Sequence, residues 1–482
     1  MKNYIRRVRV NGLFDQENEL VVDFEQSVNC IYGINGTGKT ELINLIVNVL
    51  RVNKSGLINA CFSSVTLLTS ADGKKQPETL VTVSKIQNQV YYTFNNDYTL
   101  DIKSDFRNRK TKIHKGINYY LDSKNVFNNL DTDTEQRAIS KQILIKILSE
   151  HISLTYVPLL RYSYQPAYIE NNQFQIKYLR NSIRIENELE EQFDPNTIVI
   201  EEIQDEFSKR YASAQSTISK KLESLSSIIF QKLLLEEDLN KGPLKESAYI
   251  NQLLNSGKIE DEVNVDSVIS QIKDLNLNIK ENLIREHYSQ WNEIQIGLLK
   301  AHNKYTEVIE SGVDTKERQE AFNEYSQAYY KLLSSRKLYN KLESAIEEIK
   351  SVYLKKQAAL SPFNTFKEEI NRFLNGNKKF DFTDSGEFIF TNNDRPLNIS
   401  KLSSGEKHLI AILGRVSFSA SNMSTFIADE PELSLHLQWQ REIIPSIRRL
   451  SPNTQVIVAT HSPAIISKDA KLIDIEECYR NA

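Results

Sequence analysis

Four short runs in this chain hold residues whose types and spacing suit work on a phosphate. The first is GINGTGKT, Gly33 to Thr40. Glycines at 33, 36 and 38 tolerate the backbone angles and close approach that let successive N–H groups surround phosphate oxygens, with Asn35 in the same loop. Lys39 is then placed to meet the β and γ phosphates, and Thr40 offers its hydroxyl to magnesium. The second run is STFIADEPELSLH, in which apolar residues from Thr425 to Ala428 deliver Asp429 and Glu430 to the C-terminal edge of a strand, where ligands bind in α/β sheets. Asp429 is expected to hold magnesium and Glu430 to polarise an attacking water. The third, TQVIVAT, ends at His461, whose imidazole is placed to contact a γ-phosphate. A lone histidine is more often structural, and the strand tip after Glu430 is what argues for the site. The fourth is LSSGEK, Leu402 to Lys407, at the start of a helix expected over Glu406 to Val416. Alone, Ser403, Ser404, Gly405 and Glu406 read as an ordinary capped helix start.

These residues need a sheet to hold them. Tyr4 to Val10 and Leu20 to Phe24 alternate as strands, VNCIY runs into the glycine loop, and ELINLIVNVL behind it has helical spacing. CFSSVTLLTS, ETLVTVSKI and QVYYTF predict a small antiparallel layer. The pattern weakens from Asp97 to Asn128, where the basic stretch Lys103 to Lys115 reads as a solvated loop, or as a contact for DNA or a partner. Ala138 to His151 is expected as a helix leading to a strand over Ser153 to Leu160.

From Gln173 to Ala359 the sequence turns charged and helical. Apolar residues recur at spacings of three and four from Ile200 to Ile229 and from Tyr325 to Ile349. This predicts two arms that pack back on each other, about 50 Å long each at 1.5 Å per residue, with shorter helices between them broken near Gly242–Pro243 and Gly257. After Pro362 the β pattern returns in KKFDFTD and EFIFTN. The expected division is head residues 1–165, helical insertion 166–360 and head residues 361–482.

Composition limits the partners. A net charge of −3, from 60 basic and 63 acidic residues, gives no global attraction to nucleic acid. No run approaches the roughly 18 to 20 apolar residues of a membrane span, and the basic N-terminus lacks a following apolar block, so no membrane association and a cytoplasmic location are expected. Cys30, Cys61 and Cys478 have no CxxC spacing, which argues against a zinc module or a disulfide framework.

In their order, the phosphate loop, LSSGEK, DEPE, the SLH turn and THSP resemble the ABC-type ATPases of the chromosome-maintenance and DNA-repair class, and more closely the ATPase subunits of bacterial anti-phage systems. The likeness covers the two ends of the chain, and the insertion agrees in type rather than in sequence. It implies an α/β fold, an ABC-type P-loop head with a mixed sheet and flanking helices, interrupted by a long helical or coiled-coil insertion. It implies ATP and Mg2+ as cofactors. It also implies a homodimer or higher homo-oligomer in which Ser403, Ser404, Gly405 and Glu406 of one copy close over nucleotide held by Lys39 of another. Ser404 stands where many relatives have glycine, and the glutamine loop that contacts magnesium has Gln165 as its best match.

Transporter ATPases place the signature far nearer the phosphate loop. Overcoming-lysogenisation nucleases carry a metal-dependent nuclease domain after the head, for which the residues beyond His461 leave no room, so a nuclease is expected on a separate chain. A Septu-type ATPase with an HNH nuclease partner is the favoured expectation. A PARIS-type ATPase holding a TOPRIM nuclease and a repair-type ATPase acting directly on DNA are the alternatives.

Overall fold

The computed structural model describes residues 3–15, 18–71, 76–87, 89–104, 107–121, 136–157, 195–234, 242–259, 263–312, 315–374, 376–418 and 424–480. Strands β1 (Tyr4–Asn11) and β2 (Glu19–Asp23) pair antiparallel with Val8 opposite Val22 and Val10 opposite Leu20. Their alternation therefore puts one apolar row on the core. β3 (Val28–Tyr32) is buried along its first four residues, as a strand covered on both faces must be. The glycine loop follows it and leads into α1 (Lys39–Leu50), which buries Leu42, Ile43, Leu45, Ile46 and Val49.

After α2 (Lys54–Asn59), strands β4 (Ser64–Ser70), β5 (Glu78–Ile86) and β6 (Gln89–Phe94) extend the layer outward from β1 by antiparallel pairing. The basic stretch expected as a loop is instead largely strand: β7 (Tyr98–Ser104) and β8 (Arg107–Ile113) form their own hairpin. RNRKTKI is polar at nearly every position, so its period of two left no mark in the sequence. β9 (Asn118–Leu121) and β10 (Gln136–Ile139) pair in parallel, so the helix expected from Ala138 begins later, as α3 (Lys141–His151). β11 (Leu154–Val157) follows. Gln165 lies outside the described residues.

The helical region holds α4 (Pro195–Leu234), α5 (Gly242–Ser256), α6 (Val265–Asp274), α7 (Glu281–Glu310) and α8 (Thr315–Phe373). Gly257, with φ +61, stands just past the end of α5, where a left-handed residue ends a helix at little cost. The helices between the arms are shorter than both, as expected, with α7 reaching 30 residues. One expectation fails here. The second arm does not stop near Pro362, because α8 runs through it for 59 residues to Phe373. The chain divides into two compact units, Met1–Lys209 with Pro362–Ala482, and Arg210–Ser361. Within the second unit, Leu225, Ile272, Tyr288 and Ile349 form one apolar cluster, and Ile250, Trp291, Leu298 and Leu332 another.

The first unit resumes with the sheet β12 (Lys378–Phe382), β13 (Phe388–Asn392) and β14 (Arg395–Leu397). Then come α9 (Ser404–Ser417), β15 (Thr425–Asp429), α10 (Leu437–Leu450), β16 (Gln455–Ala459), β17 (Lys471–Asp474) and β18 (Tyr479–Arg480). Five strands form a parallel sheet in the order β11-β15-β16-β3-β17, and eight form a second sheet, mostly antiparallel, in the order β10-β9-β6-β5-β4-β1-β2-β18. One continuous apolar core joins α1 to both sheets. Phe207 of α4 is fully buried among Phe363, Phe366, Phe382, Phe388 and Phe418, with ring centroids 4.9 to 6.0 Å away. Among the described residues, no helix is long and apolar enough to cross a membrane.

Candidate nucleotide site

The parallel order places β3, β15 and β16 side by side, so the loops at their C-terminal ends converge. Gly33, Gly36 and Gly38 of the first loop take positive φ values of 152, 87 and 99 degrees. A Cβ on Gly38 would also crowd Phe14, Tyr479 and Leu13, at 3.1 to 3.4 Å. The resulting cavity of about 280 Å³ is lined by Phe14, Asn35, Gly36, Gly38, Lys39, Thr40, Glu41, Glu430 and His461.

Lys39 is nearly buried, and its ammonium donates to the carbonyls of Gly33 at 2.8 Å and Ile34 at 2.9 Å. Burial pushes its pKa down, against the pull of Glu430, Asp429 and Glu476. A cation so held, beside the N-terminus of α1, is suited to phosphate. Asp429 is 3% exposed, and burial raises its carboxyl above the usual carboxylate range although the Thr40 hydroxyl donates to it. Its Oδ1 is buried with no hydrogen-bond partner. A hydroxyl and a carboxylate with an unspent oxygen form a donor set that fits a small, hard divalent cation such as Mg2+.

Glu430 takes φ +45, a left-handed conformation that costs a non-glycine residue about 1–3 kcal/mol and persists only where its surroundings impose it. Its N–H donates to Ala459 O at 2.8 Å. His461 Nε2 lies 3.7 Å from Glu430 Oε1, so the two side chains stand next to each other in the cavity lining.

Several residues that build this geometry were not singled out from the sequence. Glu432 Oε1 accepts from the Thr460 hydroxyl at 2.5 Å and from the N–H groups of His461 and Ser462 at 3.0 and 3.1 Å, which ties the DEPE turn to the His461 loop. Gln440 accepts from the Ser462 hydroxyl at 2.7 Å and donates to Leu435 O at 2.9 Å. The C-terminal residues support the glycine loop: Glu476 accepts from Ile34 N–H at 3.1 Å, and the Tyr479 hydroxyl donates to Thr37 O at 3.1 Å. Phe14, at φ +56 and 44% exposed, stands at the cavity mouth. The second acid of DEPE was the one readable hint among these.

The signature residues do not join this cavity lining. Ser403 caps α9, accepting from Glu406 N–H at 3.2 Å, while the Glu406 carboxylate accepts from Ser403 N–H at 2.7 Å. Lys378 completes Glu406's partners at 2.7 and 2.9 Å. The Glu406 carboxylate, expected to close over nucleotide held by a second copy, holds the helix start within its own chain. α9 begins two residues earlier than expected, at Ser404, which puts Gly405 in its first turn.

Comparison with known proteins adds relatives to this geometry. The family described as "AAA domain, putative AbiEii toxin, Type IV TA system" matches residues 253–467, less than half of the chain. The "Structural maintenance of chromosomes protein 3 homolog" of Plasmodium falciparum is 23% identical over 324 residues, covering 65% of this chain and 25% of that protein. The "Retron Ec83 probable ATPase" of Escherichia coli is 27% identical over 157 residues, covering 30% of this chain and 28% of that one. The chain thus spans about a quarter of the length of these curated relatives. An Smc head domain with a coiled coil and joint from Pyrococcus yayanosii aligns over 96% of this chain and 93% of that one, at 16% identity and a TM-score of 0.36. Motif order and parallel-sheet topology give this chain a P-loop head interrupted by a helical insertion, and its sequence relatives include an SMC protein and a retron ATPase.

Proposed function

We propose that the chain binds and hydrolyses ATP with Mg2+. The observation that carries this reading is the convergence of Lys39, Thr40, Glu430 and His461 on one cavity, with the buried Asp429 carboxylate bound to Thr40. In this reading Lys39 and the loop N–H groups offset phosphate charge, and Thr40 and Asp429 hold the cation that supplies further charge neutralisation when bound. Glu430 orients water for attack on the γ-phosphorus and takes its proton. His461 contacts the γ-phosphate.

Ser403, Ser404 and Gly405 stand outside that cavity at a helix N-terminus, which supports their serving a second copy. Two heads then enclose two nucleotides. Glu430→Gln is expected to bind ATP and accumulate as a dimer while turnover falls about 10²- to 10⁴-fold. Wild-type turnover in this variant would remove Glu430 from its role. Mixed protomers carrying Lys39→Ala and Ser403→Arg are expected to regain one working site per dimer, and mixtures as inactive as either parent would refute the shared site.

The likeness to a retron ATPase and to a toxin–antitoxin family supports a finer reading, that of a nucleotide-switched subunit of an anti-phage complex with a separate HNH-type nuclease, as in Septu. DNA is then contacted mainly through the complex. Affinity purification from the native locus with mass spectrometry tests it. A stoichiometric nuclease is the expected result, whereas ATP-dependent retention of DNA by the chain alone would favour a repair-type ATPase.

A further inference from the structure

His408 lies in the second turn of α9, 6% exposed, with its Nε2 3.2 Å from the carbonyl oxygen of Pro431. The acceptor is a carbonyl, so Nε2 carries the proton and donates it. Pro431 directly follows Glu430. The turn they begin has two residues in the left-handed region, Glu430 at φ +45 and Ser434 at φ +64, so its shape depends on what holds it. From the sheet, Glu430 N–H donates to Ala459 O. From the other side comes α9: beyond the His408 bond, a Cβ on Gly405 would lie 2.5 Å from Ser434 O, so the helix backbone rests directly against the same turn. That helix starts at the Ser403 cap.

We propose that His408 is a positioning residue, whose hydrogen bond to Pro431 O locks the Glu430 turn to the helix bearing the signature serine. Each protomer thereby carries on one rigid piece the glutamate for its own nucleotide and the serine for its partner's. The second half of this proposal rests on the shared-site reading above; the first does not. Without the bond, Glu430 is misplaced while the glycine loop that binds nucleotide is untouched.

The test has two parts. In the full-length protein, His408→Ala is expected to lower turnover at saturating ATP about 10- to 100-fold, the cost of a displacement of about 1 Å, with KM for ATP unchanged. His408→Gln, which keeps an N–H donor, recovers most of the loss. Wild-type turnover in the alanine variant, a loss confined to KM, or a glutamine variant no better than alanine overturns the role of His408. In mixed dimers of Lys39→Ala and Ser403→Arg protomers, His408→Ala is then added to one protomer at a time. Slowed turnover from both placements is expected, and an effect from only one refutes the coupling. If the mixed dimer is inactive before His408 is changed, the shared site itself has failed, and the homogeneous variants still decide whether His408 positions Glu430.

Discussion

Asp429 shows how this head holds a charge where the fold disfavours it. Burial, helped by Glu430 and Glu432, lifts its carboxyl above the ordinary value of 3.8, against the Thr40 hydrogen bond and Lys39. The folded chain therefore binds more protons than the unfolded one between that value and the raised one. This stability contribution is complete below pH 3.8 and is lost as pH rises through the folded pKa. Above the folded pKa the ionised carboxylate is a net cost, which a bound cation would relieve. Asp429→Asn is thus expected to melt at a higher temperature than wild type at neutral pH, with the gap closing on acidification, and to lose the stabilisation that Mg2+ gives the wild type. Calorimetry with and without Mg2+ checks this, and identical melting near neutrality would contradict it.

At the scale of elements, the roots of α4 and α8 are fixed by packed rings together with the ion pairs Arg415–Glu202 and Arg449–Glu369. Phe207 contacts rings from α8, β12, β13 and Phe418 just beyond α9. Ile203 packs so close to Gly414 of α9 that a Cβ there would lie 2.6 Å from its side chain. Phe207→Ala is expected to cost about 3–5 kcal/mol, the usual penalty for emptying a buried aromatic site, and chemical denaturation measures it. Much at this scale was legible. VNCIY, the Thr425 to Ala428 run and TQVIVAT are apolar because parallel strands are covered on both faces, and each was readable as a strand with its chemistry at the tip. α8 was misread at Pro362, where proline normally stops a helix. The phenylalanines just after it, Phe363 and Phe366, are buried against Phe207, and tertiary packing outweighs the local penalty.

The molecule as a whole holds what local sequence could not display. Glu476 and Tyr479 meet the glycine loop because β18 pairs with β2 and β17 with β3, contacts between the two ends of the chain. No motif spacing encodes them. Tyr479→Phe removes one hydrogen bond to Thr37 O, a loss of about 0.5–1.5 kcal/mol. It is expected to weaken ATP binding by up to about tenfold while leaving turnover at saturation unchanged; isothermal titration reads the first and a steady-state assay the second.

The position of β3 also sets when the site can exist. Its neighbours, β16 and β17, are encoded more than 400 residues later. At 5–20 residues per second, a ribosome needs roughly 20 to 90 s between making the glycine loop and making the strands that flank it. A nascent chain therefore has no finished pocket until its last segments emerge. A message cut short before β16 yields a polypeptide whose glycine loop sits on a strand without either of its neighbours.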